Sequence, residues 1–317
     1  MKSLTFANND EMPAIGLGTW KSQPGEVGQI IRNAIDLGYR HFDCAHLYMN
    51  EKEIGEAFAA AFQAGDVKRE ELWVTSKVWN NCHKKHQVRP ALEQTLTNLQ
   101  LDYLDSYLVH WPVVLKDDVL YPTKGEDMVS LDEVPISETW AAMEACYEAG
   151  LMRHIGVSNF SIKKLKALTA IAKIKPEINQ IEMQPFFQQN PMLEYCASEG
   201  INLTAYSPFG SRDRPDNFKM GDEPDLFKIP EVQEIAEAHG CTTPQVLVAW
   251  AVQRGTSIIP KSANPERMKQ NLDAGDITLT DDEMAVMLSL DRNYRFIVGK
   301  FWTVEGSPYT LENLWDE

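Results

Sequence analysis

Short apolar runs alternate with longer amphipathic stretches from about residue 25 to residue 272, and nothing in the chain constrains its fold more. The runs at 39–43, 72–77, 106–110, 154–157, 178–183, 202–205 and 257–259 predict strands, because they are brief and often β-branched, as in LWVTSKVW and DSYLVHW. Helical spacing of apolar residues predicts helices at 25–37, 51–62, 87–99, 137–149, 162–171, 191–198, 232–238 with 244–253, and a last one at 265–272. Ser137, Glu138 and Thr139 ahead of Trp140 mark one helix start, and Gly150 and Gly200 stand where C-caps are expected. Segments 3–6 and 14–17 predict an opening hairpin. Strands alternating with helices build a parallel sheet joined by right-handed crossovers. Seven strands, with an eighth near Gly16, predict an α/β (β/α)8 TIM barrel with an N-terminal β-hairpin and a long C-terminal tail. A doubly wound sheet is disfavoured. Gly16-Leu17-Gly18 runs on into Thr19-Trp20-Lys21 and lacks the third glycine of a dinucleotide fingerprint. No linker or repeat divides residues 1–317, so a single domain is expected.

Composition narrows the partners. Thirty Lys and Arg against 46 Asp and Glu leave a net charge of −16, which repels nucleic acid and anionic membranes. Any anion must therefore be met by a local cluster of cations. No apolar run reaches the roughly 18 residues of a membrane span, and no signal-peptide core precedes Asn8. Five scattered cysteines with no C-x-x-C suit a reduced, cytoplasmic protein. The expected partner is a small molecule, and the expected state a monomer or weak dimer.

In such a barrel the active site forms at the C-terminal ends of the strands. Polar residues collect there in order. Asp43 ends one strand, with Tyr48 in the following loop; Lys77 ends the next, and His110 the one after. Ser158-Asn159, Gln180, Tyr206-Ser207 and Lys261-Ser262 follow. Singly, each reads as a cap, a loop anchor or a satisfied core residue. Together they suit reduction of a carbonyl. Tyr48 can supply a proton, and a nearby Lys77 ammonium would lower its phenol pKa from about 10. Asp43 would hold Lys77 charged, and His110 would orient the carbonyl oxygen. No side chain donates hydride, so a nicotinamide cofactor must. Lys261, Ser262, Asn264 and Arg267 enter a helix N-terminus, which itself favours anions. They are the cation cluster that a phosphate would need.

The stretches GYRHFDCAHLYMNEKEIG, VTSKVWN, YLVHWP, IGVSNF, NQIEMQPF, TAYSPFGS and IPKSANPERMKQN resemble the aldo-keto reductases, in particular the aldose and aldehyde reductase branch. The resemblance runs in order from about residue 4 to residue 295. It implies NADPH-dependent reduction of aldehydes, aldoses or ketones, with NADH a weaker substitute. It implies Tyr48 as proton donor, Asp43 and Lys77 as its tuning pair, and His110 as substrate orienter. Ser158, Asn159 and Gln180 are similar to the partners of the nicotinamide carboxamide, and Tyr206 to the ring stacked on it. Gly18, Thr19 and Trp20 border the nicotinamide. Ser207, Phe209, Ser211 and Asp213 resemble the segment over the pyrophosphate. Lys261, Ser262, Asn264 and Arg267 resemble the 2′-phosphate site, with Gln270 and Asn271 toward the adenine.

The chain departs from that pattern in places. Gln184 stands where many relatives have His, which reads as a packing change. The loop 113–135 and the tail 291–317 match the animal enzymes poorly, and the tail is closer to bacterial and xylose-reductase-type members. The resemblance implies that, with the loop 209–228, these segments shape substrate choice. Trp20, Trp79 and Trp111 follow strand ends and read as an aromatic pocket wall that, with Tyr48 and His110, contacts substrate. Phe301 and Trp302 are candidates to close it.

Other signals are weaker. Cys82, His83 and His86 lack a second ligand pair at zinc spacing, so no metal is expected. The run from Gly156 to Phe160 fails the last position of a nucleophile elbow. Two other functions use the same residues. Lys77 could form a Schiff base in a lyase, or the chain could bind cofactor without turnover.

Overall fold

The computed structural model describes residues 2–219 and 221–317. The chain opens with β1 (Ser3–Thr5) and β2 (Glu11–Pro13), an antiparallel hairpin. Then β3 (Leu17–Gly18), α1 (Val27–Leu37), β4 (His41–Asp43), α2 (Glu51–Ala64), β5 (Trp73–Val78), α3 (Lys85–Leu99) and β6 (Leu104–Val109) follow. A small hairpin of β7 (Val114–Leu115) and β8 (Met128–Val129) interrupts the alternation. It resumes with α4 (Ile136–Glu148), β9 (Met152–Ser158), α5 (Ile162–Thr169), β10 (Ile178–Glu182), α6 (Asn190–Glu199) and β11 (Asn202–Tyr206). The last part holds α7 (Pro230–Ala238), α8 (Thr243–Gln253), β12 (Ser257–Ile258), α9 (Pro265–Asp273), α10 (Asp281–Ser289) and α11 (Leu311–Trp315).

Eight strands form one parallel sheet in the order β12-β11-β10-β9-β6-β5-β4-β3. Its two edges meet: Ile15 bridges Ile258, with Gly16 N–H donating to Ile258 O at 2.8 Å and Ile258 N–H to Ala14 O at 2.7 Å. This is the expected (β/α)8 barrel. The segment 14–17 therefore belongs to barrel closure rather than to the hairpin, whose second strand is Glu11–Pro13. The helix at 265–272 is not the last, since α10 and α11 follow.

Side-chain alternation along the strands stacks the barrel interior in layers. On β5, Trp73 packs with Phe6 and Met12 of the hairpin, which plugs the floor. Thr75, two residues on, meets the hydroxyl of Ser106 at 2.6 Å. Lys77, two further, reaches Asp43 at the mouth. The plug is also held by polar contacts. The buried His154 ring meets Asp10 at 3.0 Å and Glu177 at 3.1 Å, and its centroid lies 4.0 Å from that of Phe6. The main apolar core lies between the strands and the surrounding helices. A separate aromatic cluster at the barrel mouth joins Trp79, Trp111, Trp302, Tyr309 and Trp315.

α2 and α3 approach closely at Gly55 on α2, where an added Cβ would come within 2.2 Å of Asn98 O on α3. Gly55→Ala is therefore expected to cost about 1–3 kcal/mol of stability in urea unfolding. An unchanged midpoint would show that the two helices can separate at no cost.

Candidate active site

Three strand ends converge on one buried charge. Lys77 is 0% exposed. Its Nζ donates to Asp43 Oδ1 and Oδ2, each at 2.8 Å, and to Cys44 O at 2.9 Å, with Tyr48 Oη at 3.5 Å. Gln180 Nε2, from β10 across the barrel, donates to Asp43 Oδ1 at 2.7 Å. Thr19 Oγ1 donates to Asp43 O at 2.8 Å. A buried ammonium is tolerated only when its charge and its donors are met, and here they are.

Tyr48 and His110 both line a cavity of about 930 Å3 at the mouth, their rings edge-to-face with centroids 6.0 Å apart. Burial first, then the Asp43 charge, pushes the Tyr48 phenol well above its ordinary value. This reverses the expectation that Lys77 lowers it, because Asp43 neutralises the ammonium and burial disfavours the phenolate. Burial, then the Lys77 charge, holds His110 well below the usual imidazole range, so its ring is neutral.

Asn159 ties His110 to the next stretch of the cavity. Its Nδ2 donates to His110 O at 2.9 Å and to Ser158 Oγ at 3.1 Å, and its Oδ1 accepts from Tyr206 Oη at 2.7 Å. Ser158 Oγ donates to Gln180 O at 2.8 Å. Asn159 and Ser207 adopt left-handed backbone, φ 65° and 50°, at the ends of β9 and β11.

The far end of the cavity is basic. Lys261, Ser262 and Arg267 line it at the start of α9. Among the described residues no carboxylate is ion-paired with Arg267. Asn264 lines the same end, but its side chain also caps α9 by accepting from Arg267 N–H at 3.0 Å. The segment after β11 crosses this end. Asp213 meets Lys261 at 3.2 Å and Lys21 at 4.0 Å. These ion pairs are exposed, so they hold weakly and can open. Ser207 and Ser211 join through their hydroxyls at 2.6 Å. Buried Arg214 staples the strap through Gly210 O at 2.8 Å and through Glu223.

All the catalytic, cofactor and substrate candidates read from the sequence line this cavity except Thr19 and Lys77. Thr19 is fully buried and acts on Asp43; Lys77 stands behind Asp43 and Tyr48. Gly18, Trp20, Phe209, Gln270 and Asn271 are on the wall, and so are Trp79 and Trp111. Phe301 and Trp302 are there too, with Trp302 5.7 Å from each of Trp79 and Trp111. Sequence reasoning missed Leu47, Tyr121, Phe218 and Ile297. Their only local signal is apolar character in loops. Gln184 is fully buried, donating to Tyr294 O at 2.8 Å and accepting from Phe186 N–H at 2.7 Å.

Residues 14–292 match the aldo/keto reductase family. The chain belongs to that family. It is 55% identical over 317 residues to an aldo/keto reductase of Synechocystis sp., covering 100% of this chain and 97% of that one. It is 43% identical over 298 residues to human aldo-keto reductase family 1 member A1, covering 93% and 91%. The aldose reductase of Schistosoma japonicum superposes with a TM-score of 0.85 at 38% identity, covering 99% of this chain and 96% of that one. Membership makes this aldo/keto reductase an oxidoreductase acting on carbonyls, and the family generally uses NAD(P)H. Among its described residues no helix is long and apolar enough to cross a membrane.

Three buried histidines resist protonation. Burial holds His83 down at about 3, and it also lowers His41 and His110. Each folded value lies below the unfolded one, so the unfolded chain binds the extra protons and stability falls as pH drops through about 6.5. The urea midpoint should therefore fall between about pH 7 and about pH 5, and fall less in His83→Gln. An equal loss in both proteins would exclude His83 as a contributor.

Proposed function

We propose that this aldo/keto reductase reduces aldehydes to alcohols with NADPH, Tyr48 giving the proton and His110 orienting the carbonyl. The observation that carries this reading is the placement of Tyr48 and His110 together on one cavity wall, with the Lys77–Asp43 pair behind the phenol. The cavity's other features fit the cofactor. Tyr206 offers an aromatic face, Ser158, Asn159 and Gln180 offer amides and a hydroxyl, and Lys261, Ser262, Asn264 and Arg267 offer an anion site. Ser207, Phe209, Ser211 and Asp213 would cover its middle, with Gly18 and Trp20 beside the nicotinamide and Gln270 and Asn271 near the adenine. When bound, NADPH supplies the hydride.

The protein's own part follows from charge. A carbonyl oxygen held by Tyr48 Oη and the His110 imidazole gains negative charge as the carbonyl is reduced, and two hydrogen bonds stabilise it. Tyr48 Oη then passes its proton to that oxygen. The phenolate left behind faces Lys77 Nζ at 3.5 Å, and Asp43 holds that ammonium in place. The Schiff-base alternative finds no support here. Lys77 is ion-paired, fully buried and off the cavity wall.

The substrate end favours apolar aldehydes. Trp79, Trp111, Phe301 and Trp302 interlock with centroids 4.9–5.7 Å apart. Hydroxyls of an open-chain sugar would lose water there with few partners. Aromatic and alkyl aldehydes should outrank xylose in kcat/KM.

Two variants test the roles. Tyr48→Phe should lower turnover by roughly 10²–10⁴-fold while NADPH binding, read by fluorescence quenching, persists. Unchanged turnover would remove Tyr48 as donor. Arg267→Ala should raise KM for NADPH about tenfold or more, the scale of a hydrogen bond to a charged group, and leave NADH little changed. Equal effects on both would contradict a 2′-phosphate contact.

A further inference from the structure

Glu182 ends β10 two residues beyond Gln180, at the barrel rim, and is 1% exposed. Its carboxylate accepts two successive backbone N–H groups of the tail. Phe296 N donates to Oε1 and Ile297 N to Oε2, each at 2.7 Å. Gln184 Nε2 adds a longer contact to Oε1 at 3.4 Å. Among the described residues no cation is within ion-pair distance of it, and although the Arg295 charge lies near enough to favour the carboxylate, a buried carboxylate whose hydrogen bonds all come from neutral donors is an expensive way to anchor a chain. Its return is geometric, because two bonds to neighbouring amides fix both the position and the direction of the backbone.

What that backbone carries is the substrate wall. Ile297 lines the cavity, and Phe301 follows it. The Phe296 ring lies so close to the strap that a Cβ on Gly210 would approach it to 2.9 Å, and Arg214 stands over it at 5.4 Å. Phe301 in turn meets Phe218 of the strap, centroids 4.8 Å apart. The distal tail is held independently. Tyr309 Oη donates to Val129 O at 2.6 Å, and Lys164 Nζ donates to Leu314 O at 3.0 Å.

We propose that Glu182 is a positioning residue for substrate choice. It sets the register of residues 296–302 against the strap, and so the shape of the pocket wall for bulky aldehydes. This rests on the aldehyde-reductase reading.

The test uses the full chain with Glu182→Gln, which replaces one acceptor by a donor facing a backbone N–H. Steady-state kinetics are measured with 4-nitrobenzaldehyde and with glyceraldehyde at saturating NADPH, alongside trypsin cleavage after Arg295 and Lys300. The expected result is KM for 4-nitrobenzaldehyde up about tenfold with kcat within about threefold. Glyceraldehyde kcat/KM should stay within about threefold, and cleavage should be about tenfold faster. Equal losses for both aldehydes, or unchanged kinetics and cleavage, would overturn the proposal. Should Glu182→Gln fail to fold, Glu182→Asp keeps the charge, shortens the reach and reads the same split. If the unmodified enzyme reduces neither aldehyde, the functional reading fails. Cleavage then decides alone whether Glu182 fixes the tail, faster cleavage supporting it and unchanged cleavage overturning it.

Discussion

A fully buried ammonium organises the mouth of this barrel. Lys77 can exist there only because Asp43 meets it from the neighbouring strand and Cys44 O fills a further donor. Asp43 is in turn fixed by Gln180 from across the barrel and by Thr19 just beyond β3. One ion pair thus ties together β3, β4, β5 and β10. Removing either partner would leave an unpaired buried charge, a loss of about 3–5 kcal/mol. The same pair sets the character of Tyr48. With the ammonium neutralised, burial governs, and the phenol keeps the proton that the proposed reaction requires.

The outer loops and the tail are built on this mouth. The tail joins the other two: it bonds to the hairpin β7–β8 through Tyr309 and meets the strap after β11 through Phe296 and Phe301. Gly125 packs so tightly on Gly306 that a Cβ would come within 2.1 Å of its backbone, and Tyr309 bonds to both β7 and β8. The aromatic cluster of Trp79, Trp111 and Trp302 is where this outer layer meets the catalytic wall. In the proposed reading, substrate selection and chemistry thus rest on different layers, joined by ring contacts and by Glu182.

The barrel was legible because its strands are compact apolar runs and its helices keep their period. The ends blurred where pairing partners decide. Ala14 and Ile15 look like a hairpin arm, yet they close the ring against Ile258, a partner more than 240 positions away. α10 begins with three acidic residues, Asp281, Asp282 and Glu283, which suit its first turn but mask its apolar face. The strands of β7–β8 are two residues each and are held from outside. At the site, strand-end position identified the polar residues, because the barrel's geometry sends them to one mouth. It did not reveal their state. Proximity of Lys77 to Tyr48 suggested a lowered phenol pKa, while burial and the Asp43 charge, visible only in three dimensions, raise it. Leu47, Tyr121, Phe218 and Ile297 escaped notice because a loop hydrophobe carries no periodicity to say what it faces.

The most direct test of carbonyl reduction at this site is the mass of the alcohol formed from 4-nitrobenzaldehyde with NADPH carrying deuterium at both hydrogen positions of the reactive nicotinamide carbon. The account predicts one deuterium on the carbinol carbon with the unmodified enzyme, and almost no product with Tyr48→Phe. An alcohol without deuterium, or labelled product formed equally well by Tyr48→Phe, would contradict it.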